Sequence, residues 1–179
     1  MSINQIHIIN RVISFEESMN ILCEIYMDFN KKRMKTKLDK DKLLKTEFDY
    51  VKTVNDLSSS ELKLFVRIYF LKREESLRRK PNENDDDYFI RQRDLIIDKL
   101  KVNLKFDDTY NISKPAFFKS VKRLVDERVL VMTDKQSIYY INPYIIPILT
   151  LEEFNLFRMK IEDYFISKHT TLLDKPQPL

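Results

Sequence analysis

The sequence contains no glycine in its 179 residues, only one cysteine and only two histidines. Without glycine it cannot form the glycine-rich loops that hold phosphate groups, nor the Gly-x-Ser-x-Gly turn of many hydrolases. The single cysteine, Cys23, excludes an internal disulfide, and the widely separated His7 and His169 lack the spacing of a zinc site. We therefore predict a protein that is not an enzyme, with no catalytic residues, no metal and no small-molecule cofactor.

Long apolar runs are also absent. No segment reaches the roughly 18 consecutive apolar residues of a membrane-spanning helix, and the opening Met-Ser-Ile-Asn-Gln does not resemble a secretion signal. Hydrophobic residues make up 43% of the chain and charged residues 34%, with a net charge of +4. This balance predicts a globular, cytoplasmic protein without a membrane partner. Its mildly basic character permits nucleic-acid binding without requiring it.

The segment 111–147 carries the clearest functional pattern. Ser113 is suited to cap a helix, and Pro115 falls in its first turn, where a missing N–H is tolerated. The helix predicted from here to about Arg128 has one apolar face at helical spacing and an opposite face that is mainly basic. The apolar face holds Phe117, Val121, Leu124 and Val125. The candidate DNA contacts are Ser113, Lys114, Phe118, Lys119, Lys122 and Arg123.

Two short extended segments, 129–132 and 137–141, follow this helix and are rich in β-branched and aromatic residues. They predict a β-hairpin. Because the residues between them include no glycine, we expect a longer turn that uses Asp134 rather than a two-residue turn. Lys135 and Gln136, at the tip, are the candidate DNA contacts of the hairpin. A basic helix followed at once by a hairpin is typical of a winged helix-turn-helix, in which the helix enters the major groove. The alternative is a helix packed on a hairpin, with its lysines solvated.

Residues 113–143 also resemble a known family. Their Leu-Val-x-x-x-Val-Leu junction between helix and strand, and the Tyr-Tyr-Ile-Asn-Pro exit, are similar to the winged-helix core of plasmid replication and maintenance proteins of the RepL type. A more distant similarity is to MarR-like regulators. The resemblance implies a DNA-binding winged helix, although this chain departs from the family in having no glycine at the tip of the wing.

Three further helix starts carry the same pattern, in which Ser or Thr precedes Glu by three residues. In such a capping box, each side chain satisfies a free backbone N–H of the other residue. The pairs Ser14–Glu17, Ser58–Glu61 and Thr150–Glu153 predict helices over about 15–31, 59–73 and 151–167. The aspartates at 85–87 are interpreted as capping a helix from Tyr88 to about Leu100, where acidic residues favour the N-terminus, rather than as a metal site.

The helix at 59–73 is apolar on two sides, which predicts burial on both. One stripe consists of Leu62, Phe65, Val66 and Tyr69, and the other of Leu64, Ile68 and Leu71. The second stripe belongs either to the core of one chain or to a dimer seam. The C-terminal helix is apolar at Phe154, Phe157, Ile161, Tyr164 and Phe165. Because these surfaces exceed what one winged helix needs, we predict a homodimer formed through the second stripe and the C-terminal helix.

The sequence thus predicts a mainly helical α+β protein. Its parts are an N-terminal helical extension (1–56), a winged-helix core (57–149), a C-terminal helix (150–168) and a flexible tail (169–179). The predicted function is sequence-specific binding of double-stranded DNA for a plasmid or phage, in replication initiation or transcription regulation. The absence of glycine, with abundant Lys, Ile, Asn and Asp, indicates A·T-rich coding and fits such an origin. The alternative is a non-enzymatic structural or adaptor protein, including a virion component, whose winged helix makes protein contacts.

Overall fold

The computed structural model describes residues 11–36, 54–73 and 80–173, with side chains for 11–30, 54–72 and 80–168. This part of the chain is mainly helical with a small antiparallel sheet, which confirms the α+β class. The helices are α1 (Phe15–Thr36), α2 (Ser59–Arg73), α3 (Asp85–Lys99), α4 (Lys114–Asp126) and α5 (Leu151–Leu173). The strands are β1 (Lys101–Asn103), β2 (Leu130–Met132) and β3 (Ile138–Ile141), with a 3₁₀ helix at Asp108–Tyr110.

All three predicted capping boxes are formed. In the last of them, the Thr150 N–H donates to Glu153 Oε2 at 2.8 Å, and the Glu153 N–H donates to Thr150 Oγ1 at 3.2 Å. Ser14–Glu17 and Ser58–Glu61 make the equivalent reciprocal bonds. The predicted bounds of α2 are confirmed, but α1 and α5 run further than predicted. Because α5 continues to Leu173, the predicted tail at 169 begins too early.

The acidic run at 85–87 lies inside the first turn of α3, three residues earlier than the predicted start of that helix. Asn84 is the cap, since its side-chain oxygen accepts the Asp87 N–H at 2.8 Å. Negative charges in a first turn are stabilised by the helix dipole. The predicted capping role of the aspartates is therefore wrong, because Asn84 caps the helix, but their predicted place at its acidic N-terminal end is confirmed.

The sheet has the strand order β1–β3–β2 and is antiparallel throughout. The predicted hairpin forms its larger part, with Val131 paired to Tyr140. Strand β1 was not predicted; its Val102 pairs with Tyr139 on the other edge of β3. The central strand is consequently flanked on both sides, and the rings of Tyr139 and Tyr140 are both buried.

The junction between α4 and β2 is a Schellman motif. The Arg128 N–H donates to Val125 O at 3.0 Å, and the Val129 N–H donates to Leu124 O at 2.9 Å. This motif needs a left-handed residue just after the helix, a position that glycine usually fills. Here Arg128 occupies it with φ 56°. The Asn142 side chain donates to Arg128 O at 2.8 Å and holds the turn against the end of β3.

Helices α2 and α4 pack against each other, and the two apolar stripes of α2 are buried to different extents. Leu64 and Ile68 are completely buried, whereas Leu62 and Val66 are each 41% exposed. The prediction that α2 is buried on both sides is therefore wrong. The proposed dimer seam of Leu64, Ile68 and Leu71 is also wrong, because its first two members lie in the core of this chain.

The apolar face of α5 is used within the chain as well. Phe157 and Ile161 are completely buried in the common core, where α5 contacts both α1 and α3. The prediction that this face is free for a second copy is therefore wrong for its central residues. Ion pairs at three positions along the two helices connect α5 to α3: Lys99–Glu153, Lys160–Asp94 and Arg93–Asp163.

Candidate nucleic-acid interface

Helix α4 begins as the sequence predicted. Ser113 is the N-cap and accepts the Ala116 N–H at 3.4 Å, with Pro115 in the first turn. Phe117, Val121 and Leu124 are buried against α2 and the sheet. With this face fixed, the helix must present its other face outward.

The outward face of α4 is basic. Lys114, Lys119 and Lys122 are exposed, and in the described part of the chain none of them makes an ion pair. Arg123 is also exposed, but it pairs with Glu127 at 2.7 Å, one turn further along. Of the four α4 cations predicted to contact DNA, three therefore make no ion pair with the described residues, and Arg123 is paired with a neighbouring carboxylate.

Phe118 does not belong with these exposed contacts. Its half-buried ring packs against Phe117, with centroids 5.4 Å apart, and against Phe106 at 6.5 Å. The Phe118 ring therefore has a packing role in the fold, and the predicted DNA contact at this residue stays a prediction. Helical periodicity alone could not show this, because Phe106 reaches the site from the loop after β1.

The hairpin turn spans 133–137 and carries Lys135 and Gln136 in exposed positions. The longer turn that the sequence predicted is confirmed, but Thr133 organises it rather than Asp134. Thr133 Oγ1 accepts the Lys135 N–H at 3.1 Å and lies 2.9 Å from Ile138 O. Ser137, with φ 62°, takes the left-handed position for which glycine would be usual.

The helix that lies across α4 is α2, which comes earlier in the chain. The residues immediately before α4 form only the short 3₁₀ helix, which Asp107 caps by accepting the Thr109 N–H at 2.8 Å. Asn111, with φ 57°, ends it. Arg67 of α2 donates to Thr109 O at 3.0 Å and stacks over the Tyr110 ring at 4.3 Å. These contacts fix the start of α4 relative to α2.

One residue beside this surface was missed at the sequence level. A cleft of about 200 Å³ separates α4 from the hairpin, and Arg11 lines it together with Lys122 and Asp126. Its floor is formed by Val121, Val125, Met132 and Tyr139. Arg11 precedes the first helix and carries no recognisable motif. Only the folded position of the N-terminal segment brings it here.

A larger groove, of about 550 Å³, lies between α1 and α5. The charges at its rim are already paired within the chain. Arg128 lies 3.1 Å from Glu24, and Lys168 lies 3.1 Å from Glu16 and 2.7 Å from Asn20. The α4–hairpin side is therefore the better candidate for a charged partner, despite its smaller cleft.

Within the described ranges, no group of three or more His, Cys, Asp or Glu side chains is arranged to hold a metal ion. The described helices also include none with the length and apolar character needed to cross a membrane. His7 and most of the predicted tail lie outside the described residues.

Comparisons with protein-family models, with curated proteins and with solved structures found no match for this chain.

Proposed function

We propose that this protein binds double-stranded DNA sequence-specifically, with α4 as its reading helix and the β2–β3 hairpin as its wing. The observation that carries the proposal is the set of exposed, unpaired lysines on α4, followed directly by a hairpin with Lys135 at its turn. The winged-helix assignment and the cytoplasmic role for a plasmid or phage, in replication initiation or transcription regulation, belong to the same proposal.

The pairing state of the cations supports it. Each phosphate that a lysine neutralises releases counterions from DNA, and this release drives binding. Among the described residues, Lys114, Lys119 and Lys122 have no ion pair that must break before they contact a phosphate. Arg123 would have to leave Glu127, but an exposed pair of this kind contributes only about 0–1 kcal/mol.

Different residues would have different roles in such a complex. Lys119 and Lys122 lie along the middle of the exposed face of α4, where a major-groove helix meets bases and phosphates. Ser113 and Lys114 lie at the start of α4, where backbone N–H groups and the helix dipole favour a phosphate. Lys135 and Gln136 would contact the backbone beside the groove.

A second function, as a structural or adaptor protein, is favoured by one observation. Leu62, Val66 and Phe70 recur every four residues on α2 and are exposed, Phe70 by 60%. Such an exposed apolar stripe is typical of protein contacts.

Homodimerisation also remains a prediction, and a light-scattering mass near 21.7 kDa at tens of micromolar would contradict it.

The decisive experiment measures DNA affinity at several salt concentrations, on random duplex and on duplex selected from a random library. We expect Lys119→Ala with Lys122→Ala to weaken binding at least about tenfold, because lost base contacts are worth about 1–3 kcal/mol each. The matched control is Lys160→Ala, which removes a cation from α5 and should leave binding unchanged.

Circular dichroism would first establish that the double variant is folded. Wild-type affinity in that folded variant would refute α4 as the reading helix. Absence of binding by the wild type at physiological salt would favour the adaptor function instead.

A further inference from the structure

The N-terminal segment is fastened to the hairpin just before the turn. The Ile13 N–H donates to Thr133 O at 3.0 Å, and the buried Ser18 hydroxyl donates to Met132 O at 2.8 Å. Both acceptors lie where β2 passes into the turn that carries Lys135. The residues that precede α1 are therefore held beside the hairpin.

Arg11 lies two residues before this attachment. It is exposed, and it lines the cleft between α4 and the hairpin together with Lys122. Among the described residues it makes no ion pair, although it helps to lower the pKa of Glu17, after the hydrogen bonds from Ser14. Its guanidinium is thus available to a partner that reaches the cleft.

The cleft is bordered by the two elements to which the proposed function assigns DNA contact. DNA that contacts both α4 and the hairpin would pass over the cleft between them, which Arg11 and Lys122 both line. A guanidinium presents a planar set of N–H donors that matches two oxygens of one phosphate.

We propose that Arg11 contacts DNA from a third segment of the chain, besides α4 and the hairpin, and binds a backbone phosphate at this cleft together with Lys122. The inference rests on the proposed function and extends it to a segment outside α4 and the hairpin. It gives the interface a contact from the N-terminal side of the chain, positioned by the bonds of Ile13 and Ser18 to the hairpin.

Asp126, which also lines this cleft, should weaken phosphate binding there, whereas Arg11 should strengthen it. Its exposed carboxylate borders the cleft and repels a phosphate that approaches Arg11. Glu17, on α1, is the other carboxylate within electrostatic reach of Arg11. Removing the charge of Asp126 should therefore strengthen DNA binding, and this strengthening should depend on Arg11.

The test compares Arg11→Gln, Asp126→Asn and the double variant with the wild type, using labelled duplex DNA across a salt series. We expect Arg11→Gln to weaken binding about tenfold and to lower the salt-dependence slope by about one, as for the loss of one phosphate contact. Asp126→Asn should bind several-fold more tightly than the wild type, and this gain should shrink in the double variant. The control is Arg93→Gln, which removes an arginine from the α3–α5 side and should change neither quantity.

Failure of this inference is distinguishable from failure of the proposed function. If Lys119→Ala with Lys122→Ala weakens binding but Arg11→Gln keeps wild-type affinity and slope, Arg11 is only a solvated cation and the inference is overturned alone. If the wild type does not bind DNA, both proposals are overturned. Because Arg11 is exposed, its substitution should leave the melting temperature unchanged, and that measurement confirms that affinity is compared between folded proteins.

Discussion

Cations are used differently on two sides of this molecule. Where α5 packs on α3 and α1, they meet carboxylates of neighbouring helices, as in Lys99–Glu153, Lys160–Asp94, Arg93–Asp163 and Lys168–Glu16. On the α4–hairpin surface, Lys114, Lys119, Lys122 and Lys135 are exposed and have no ion pair in the described part of the chain. The first arrangement holds helices together. The second leaves charge available for a partner, and this contrast, rather than the net charge of +4, favours DNA binding.

The largest effect is expected when a cation is removed from the side where α5 packs on α3 and α1, because the cations there are paired with carboxylates. Lys99 and Glu153 are both buried, and Glu153 also accepts the Thr150 N–H at 2.8 Å. Lys99→Ala leaves that carboxylate buried without its partner, so we expect a loss of about 3–5 kcal/mol in the free energy of unfolding. Urea denaturation measures it, with Lys160→Ala as an exposed control that should lose less than about 1 kcal/mol.

In Lys99→Ala, the salt dependence of DNA binding by the folded protein should be unchanged. If Lys99→Ala lowers the free energy of unfolding by less than about 1 kcal/mol, the buried pair does not hold α5 against α3. The cations on that side would then not have the stabilising role that distinguishes them from the cations of the α4–hairpin surface.

An intermediate effect is expected at the hairpin. Lys135→Glu places a negative charge at the turn, so DNA affinity should fall and the salt-dependence slope should decrease by about one. The same two-charge change at Lys160 on α5 is the control. If the slope of Lys135→Glu equals that of the wild type, the hairpin has a structural role only, and the unpaired surface is limited to α4.

The smallest effect concerns a paired site at the surface. Two hydrogen bonds from Arg91, each 2.7 Å, together with the Lys80 N–H, hold the pKa of Glu83 at about 2 instead of 4.5. A pKa lowered by folding contributes stability above pH 4.5, and this contribution is lost as the pH falls through about 2. Glu83→Gln should therefore melt at a lower temperature than the wild type at pH 6, with the difference vanishing near pH 2. A difference that does not depend on pH would show that the ionised carboxylate is not responsible.

Local patterns predicted the helices and the hairpin well. The capping boxes, the Ser113 cap and the change from helical to alternating periodicity after Arg128 each depend on residues close in sequence. Strand β1 was missed because a three-residue strand is defined by its pairing with β3, much later in the chain (Val102 with Tyr139). The buried side of α2 could not be chosen either, because both stripes are apolar and only the position of α4 decides between them.

The candidate site was partly predictable for the same reason. The exposed lysines of α4 followed from the apolar face opposite them. The packing of Phe118 on Phe106, the pairing of Arg123 with Glu127 and the approach of Arg11 to the cleft depend on rotamers or on distant segments. Periodicity identifies which side of a helix is free, but it does not show what a free side chain will meet.

In the described part of the chain, left-handed backbone occurs at Asn82, Asn111, Arg128 and Ser137, and this has a consequence for the unfolded chain. Glycine at such positions relieves steric strain in the folded state, but it widens the range of backbone conformations that folding must restrict. A chain without glycine has the reverse balance. Its left-handed turn positions are sterically less favourable when folded, whereas its unfolded ensemble is narrower at the positions where another chain would have glycine. The stability of this chain therefore depends partly on the smaller range of backbone conformations that is open to it when it is unfolded.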